Sequence, residues 1–169
     1  MKKLLQSTLI IALSFISLFA SSQDKPKPSP ALTATGKAGN ANITINYGAP
    51  SVKGRNIWGE LVPYGKVWRT GANDATTFET DADIKIEGQS LAKGKYSLFT
   101  IPEVGEWTII INKNPKQWGA YSYKQEDDVL RVKVKSNKSA SFNEVLGYQV
   151  ADNKVYIRWE NLEVSFKVK

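Results

Sequence analysis

LEVSFKVK, residues 162–169, decides the fold class, because Leu162, Val164, Phe166 and Val168 fall on one side of an extended chain and Glu163, Ser165 and Lys167 on the other. The same period of two recurs just upstream, where Leu130, Val132 and Val134 alternate with Arg131, Lys133 and Lys135. Each such strand covers a core with one face only. Working outward, strands are expected at 32–37, 42–47, 67–70, 75–80, 84–87, 94–101, 106–112, 129–135, 142–150, 155–159 and 162–169. The breaks between them carry turn residues: Gly39-Asn40, Gly71 to Asp74, Gly88-Gln89, Pro102 to Gly105, 136–139, Asp152-Asn153 and Glu160-Asn161. Residues 107–111 are apolar on both sides apart from Thr108, as a central strand requires. Past the N-terminal segment no stretch carries a long helical period. The pattern predicts an all-β fold, an antiparallel sandwich or flattened barrel of about nine or ten strands.

The N-terminus reads differently. Lys2 and Lys3 precede an apolar run from Leu4 to Ala20, and small residues Ala20, Ser21 and Ser22 close it, the order of a secretory signal peptide at residues 1–22 cut before Gln23. Gln6, Ser7, Thr8, Ser14 and Ser17 interrupt the run, which speaks against a retained anchor. Residues 23–30, with Pro26, Pro28 and Pro30, are expected to form a flexible Pro/Lys tether to a single β domain at 31–169. The expected location is periplasmic or extracellular, with no membrane anchor after cleavage.

Cleavage leaves 147 residues, enough for one domain with its own core, and lowers the formal charge from +7 to +5 because Lys2 and Lys3 leave and no acid does. The basic residues are scattered along strands, so no nucleic-acid partner is expected. The chain has no cysteine and no histidine. That removes disulfides, thiol nucleophiles, imidazole bases, and zinc or copper sites built on thiolate or imidazole. Proton transfer could fall only to carboxylates, lysine, tyrosine, hydroxyls and backbone groups. No GxGxxG or Walker spacing is present, and neither Glu126-Asp127-Asp128 nor Asp81 with Asp83 has a calcium-loop pattern, so no cofactor and no metal is expected.

The unusual chemistry is concentrated in residues 47–77, YGAPSVKGRNIWGELVPYGKVWRTGANDATT, which holds five glycines, two prolines, two tryptophans, two tyrosines and two arginines. It should be ordered loop around one short helical turn near 57–61, capped by Asn56 and ended by Pro63. Arg69 could clamp a carboxylate or phosphate, with Arg55, Lys66 and Lys53 beside it if the loop folds back. Otherwise it pairs internally with Glu60 or Asp74. Trp58, Tyr64, Trp68, Trp118, Tyr121 and Tyr123 lie in or beside the long loops, where aromatic faces either stack on sugars or seal the ends of the sheet. The 113–123 connection is long for a compact β domain, a length that favours function.

PSVKGRNIWGELVPYGKVWRTGANDAT (50–76), LAKGKYSLFTIP (91–102), EWTIIINKNPKQWGAYSY (106–123) and DVLRVKVK (128–135) resemble the signature blocks of the bacterial domain of unknown function 2911 family. The resemblance implies an exported, mostly β domain. It brings no established activity and transfers no catalytic role.

Three functions fit these residues. The favoured one is a non-catalytic binding module for a small polar, glycan or peptide ligand or a partner protein, using Arg55, Trp58, Tyr64, Lys66, Arg69, Asn73, Trp118 and Tyr121. The second is a carboxylate-dependent hydrolase or lyase working through Glu60, Asp74, Lys66 and Tyr64, which requires Glu60 and Asp74 to converge. The third is a purely structural envelope protein.

Overall fold

The computed structural model describes residues 29–169. The expected signal peptide and residues 23–28 of the expected tether lie outside the described residues. Among those described, nine strands follow in order: β1 (Ala31–Ala38), β2 (Ala41–Gly48), β3 (Thr76–Thr80), β4 (Ile84–Ile86), β5 (Gln89–Leu91), β6 (Gly94–Pro102), β7 (Glu106–Asn112), β8 (Asp128–Ala151) and β9 (Lys154–Lys167). Seven of them form one antiparallel sheet in the order β1-β2-β3-β6-β7-β8-β9, and β4 pairs with β5 in a small second sheet. The described residues are almost all-β, as the alternation predicts.

The large sheet curls almost closed. Gly36 of β1 lies against Val150 of β8 so tightly that a Cβ on it would stand 2.5 Å from the Val150 carbonyl oxygen. Beyond β2, the Val52 N–H donates to the Glu144 carbonyl at 2.7 Å and the Leu146 N–H to the Pro50 carbonyl at 2.9 Å. This curvature puts one face of nearly every strand into a single core, which includes Ile43, Ile45, Phe78, Leu98, Trp107, Ile109, Ile157, Trp159 and Phe166. The small sheet is tied to the chain's end by hydrogen bonds between Lys85 and Lys169 in both directions.

β7 is an inner strand of the sheet, as its two-sided apolar run requires. Its outward side is covered as well: Ile110 and Phe99 form a second apolar cluster with Ala75, packed under Val67, Ile101, Ala120 and Tyr123. The cover comes partly from Val67 and Ala75 of the 47–77 segment and partly from Ala120 and Tyr123 of the 113–127 connection, whose helical piece is a 3-10 turn at Gln125–Asp127. Its length is thus used to wrap the sheet's second face.

Residues 67–70 form a single bridge at Trp68 and no strand, Gln89–Leu91 pair as β5 outside the expected strands, and two further features differ from the expectation. The separate strands at 129–135 and 142–150 are one continuous β8, and those at 155–159 and 162–169 are one β9. Their breaks are register shifts, between Lys138 and Asn143 and between Asn143 and Gly147, rather than turns. The reason is local: residues 136–139 contain neither Gly nor Pro, and the Asn143 amide stitches the irregular stretch by donating to Ser139 Oγ, Ser141 O and Glu160 O. Secondly, 57–61 is a wide hydrogen-bonded turn and not a helical one, with Leu61 N–H donating to Asn56 O and Val62 N–H to Ile57 O. The Asn56 side chain donates to Glu60 Oε1 at 2.9 Å instead of capping.

Candidate functional site

Tryptophan holds the 47–77 segment to the sheet. Trp58 and Trp68 from the segment meet Trp107 of β7 and Trp159 of β9, with Trp58 edge-on to Trp107 at 5.0 Å and Trp68 stacked on Trp159 at 5.9 Å and 17°. Burying an indole removes about 150–250 Å² from water, an upper bound on the order of 4–6 kcal/mol each. That is enough to order a stretch with little regular structure. The N–H groups of Trp58, Trp107 and Trp159 are buried without an acceptor.

Past the cluster the backbone takes a strained course. Trp68 bridges Thr100 of β6 by two hydrogen bonds, 2.8 and 2.9 Å, occupying the edge of β6 that β3 vacates beyond Thr76. Thr70 then turns at φ 53° and Asn73 at φ 64°. A β-branched residue in the left-handed region costs on the order of 1–3 kcal/mol and persists only where its surroundings hold it. Here they do: the Thr70 hydroxyl lies 3.0 Å from Thr100 Oγ1, while its carbonyl accepts from Thr76 Oγ1 at 2.9 Å and from the Tyr148 hydroxyl at 2.7 Å. Burial pushes the Tyr148 hydroxyl well above its ordinary pKa, so it stays a donor. Gly48 completes the bend, since the Ala72 N–H donates to its carbonyl and the Ala72 oxygen would stand 2.1 Å from a Cβ at that position.

This bend aims Arg69 into a cleft of about 280 Å³ between the segment and β9. Arg55, Arg69 and Asn73 supply its polar groups, Trp68, Trp159 and Leu61 part of its apolar wall, and no carboxylate lines it. Arg55 is fastened by its own hydrogen bonds to the carbonyls of Val52 and Ser51. Arg69 is not: its Nε is buried with no acceptor, and it forms no ion pair with any described residue. The expected internal partners are elsewhere, Glu60 with Asn56 and Asp74 on the far side of the bend.

A second cleft, of about 400 Å³, opens there. Residues 73–75 run antiparallel to 117–119 through the Asp74–Trp118 bridge, with Ala75 N–H donating to Gln117 O at 2.9 Å and Gly119 N–H to Asn73 O at 3.1 Å. Trp118 is 56% exposed beside Asp74, Lys116 and Gln117. The loop's root is a buried polar knot. Asp128 accepts from Asn112 Nδ2 at 2.9 Å and from the Tyr123 hydroxyl at 2.6 Å, with Arg131 Nε 3.3 Å away. Burial first, and then that bond to Asp128, raise the Tyr123 hydroxyl well above its ordinary pKa.

The structure therefore distributes the candidate residues. Arg55, Arg69 and Asn73 share the first cleft, and Trp118 lines the second. Trp58 packs within the tryptophan cluster instead of either cleft. Tyr64 lies over Gly59 and Tyr121, 86% exposed, over Gly119, while Lys66 and Lys53 are exposed and line neither cleft. Glu60, Asp74, Lys66 and Tyr64 are not gathered: Asp74 lines the second cleft and the other three line neither. Sequence reasoning missed Trp159 and Gln117. Trp159 continues the inward alternation of Val155 and Ile157, so nothing in its spacing separates it from plain core. The family described as "Protein of unknown function (DUF2911)" matches residues 29–168. No curated protein and no solved structure matches the chain.

Proposed function

The chain belongs to the DUF2911 family of proteins of unknown function, and from that premise and the Arg69 cleft we propose that it is a binding module for a small anionic ligand, a carboxylate above all. One observation carries this reading: a guanidinium lines a cleft that holds two arginines and no carboxylate, with its Nε buried and unpaired. A buried donor without an acceptor costs about 1–3 kcal/mol, and a bound carboxylate removes that cost through a charge-assisted bond. Trp68 and Trp159 add an apolar wall for the ligand's body. At about 280 Å³ the cleft lies just below the usual range of ligand cavities, about 300–1,000 Å³, which favours a small molecule over a polymer.

The module is non-catalytic in this reading, because a clamp and an apolar wall supply affinity without an acid and base placed to move protons. It works in the periplasm or outside the cell, a location that rests on the charged start, apolar run and small residues of 1–22. N-terminal sequencing of the exported protein should begin at Gln23.

The test is a thermal-shift and calorimetric screen with benzoate, indole-3-acetate, succinate, citrate and glucuronate, each beside its uncharged amide. At least one acid should bind where its amide does not, and Arg69→Gln should abolish the difference. If no acid binds, or if acids bind equally to Arg69→Gln, the proposal is wrong.

A further inference from the structure

We propose that the Trp118 cleft is a carbohydrate subsite, taking a neutral pyranose ring whose apolar face lies on the indole. The inference does not depend on the Arg69 cleft. Its ligand has the opposite hydrogen-bonding character.

The argument begins with Gln117. The residue is only 7% exposed, and its amide nitrogen donates to Asn112 Oδ1 at 3.0 Å and to Asn114 O at 2.8 Å. Two carbonyl partners fix the amide's orientation, because a flipped amide would set oxygen against oxygen. Its Oε1 is buried and has no donor. Asp74, on the same cleft, has no hydrogen bond or ion pair through its carboxylate to any described residue. The cleft thus presents acceptors in need of hydroxyl or amide hydrogens. An ionised carboxylate cannot supply them, whereas a sugar carries a rim of hydroxyl donors around a face of C–H groups.

Trp118 supplies the matching surface. Its large amphipathic ring stands more than half exposed at the cleft, on a backbone held from both sides by the bonds between 73–75 and 117–119. A platform fixed in this way loses little conformational freedom when a ring stacks on it. Lys116 offers a donor for the acceptor lone pairs of the same hydroxyls. The second cleft is also roomier than the first, about 400 Å³ against about 280 Å³.

The experiment titrates cellohexaose, xylohexaose, laminarihexaose and chitohexaose into the purified protein by calorimetry, and repeats the titration with Trp118→Ala, Asp74→Asn and Arg69→Gln. At least one hexasaccharide should bind with a millimolar or tighter Kd. Trp118→Ala should weaken it about tenfold or more, in line with an aromatic anchor at a contact centre, Asp74→Asn should weaken it less, and Arg69→Gln should leave it unchanged. In the wild-type protein, amide shifts on titration should centre on 74–77 and 115–118, a readout that stands even if a variant misfolds. The proposal is overturned if none of the four sugars binds, if Trp118→Ala binds as well as wild type, or if the shifts centre elsewhere. Because the sugars are uncharged, their failure would leave the Arg69 reading intact, and failure of the organic acids would leave this one intact.

Discussion

The Tyr148 hydroxyl donates a 2.7 Å hydrogen bond to the carbonyl of Thr70, so a buried strand residue of β8 holds the left-handed turn that follows Arg69. Position 148 is 78 residues away in sequence, yet it determines where the guanidinium is delivered. Tyr148→Phe keeps the ring and removes only this bond. It should cost about 1–2 kcal/mol in urea unfolding, with a larger proportional loss of carboxylate affinity. A stability loss with unchanged affinity would separate the turn from the site.

Arg69 itself contributes little to stability in this arrangement. It has no ion pair among the described residues and its Nε is buried without an acceptor, so Arg69→Gln should leave the unfolding free energy unchanged or raise it by up to about 1–3 kcal/mol, never lower it. An arginine in a buried ion pair would cost about 3–5 kcal/mol on removal. Chemical denaturation of the variant separates these cases, and a loss of that size would reveal an internal partner.

Gly48 is required by contact, not by φ. Replacing it with alanine would bring a methyl group within 2.1 Å of the Ala72 carbonyl oxygen, so the bend must move and the Ala72 N–H to Gly48 bond must lengthen. Gly48→Ala should destabilise at the upper end of about 1–3 kcal/mol, seen as a lower melting temperature. Gly54→Ala gives a control of another kind: no atom lies within 4 Å of its added Cβ, and only its φ of 66° opposes the change. It should cost less, about 1 kcal/mol.

Alkaline pH should unfold the protein through two tyrosines. Tyr123 and Tyr148 both hold their protons more tightly in the fold than at the ordinary value of 10.0. Between that value and the higher folded one, the native state binds more protons than the unfolded state. The stability each contributes is therefore fully present below about pH 10 and is lost progressively above it. Melting temperature against pH should fall beyond that point, and Tyr123→Phe should shallow the fall. A flat profile to pH 12 would contradict the burial of both hydroxyls.

Sequence patterning carried the fold a long way, and specific residues show where it stopped. The two-sided run at 107–111 identified an inner strand because an apolar residue facing water on either side would be costly, and Gly39-Asn40 and Asp152-Asn153 identified hairpin turns because few residues accept positive φ. The three-residue β5 is too short to show a period. Ser136 to Ser139 has the composition of a turn and is bonded as a bulged strand, a choice made by the partner strand β9 and the Asn143 amide. For the site, residue type alone made Arg69, Arg55, Asn73 and Trp118 candidates, and Trp58, Tyr64 and Lys66 looked no different.

What the sequence determined by itself was an all-β domain in a chain without thiol or imidazole, with five glycines, two tryptophans and two arginines placed in one irregular segment. Alternation and composition are local, so they survive without coordinates. Which of those groups remain unsatisfied was decided only by tertiary structure. A donor or acceptor is unpaired only relative to atoms far along the chain, and here those are the tryptophans of β7 and β9, Tyr148 of β8 and Asn112 of β7, which leave Arg69 Nε and Gln117 Oε1 without partners on opposite sides of one bend.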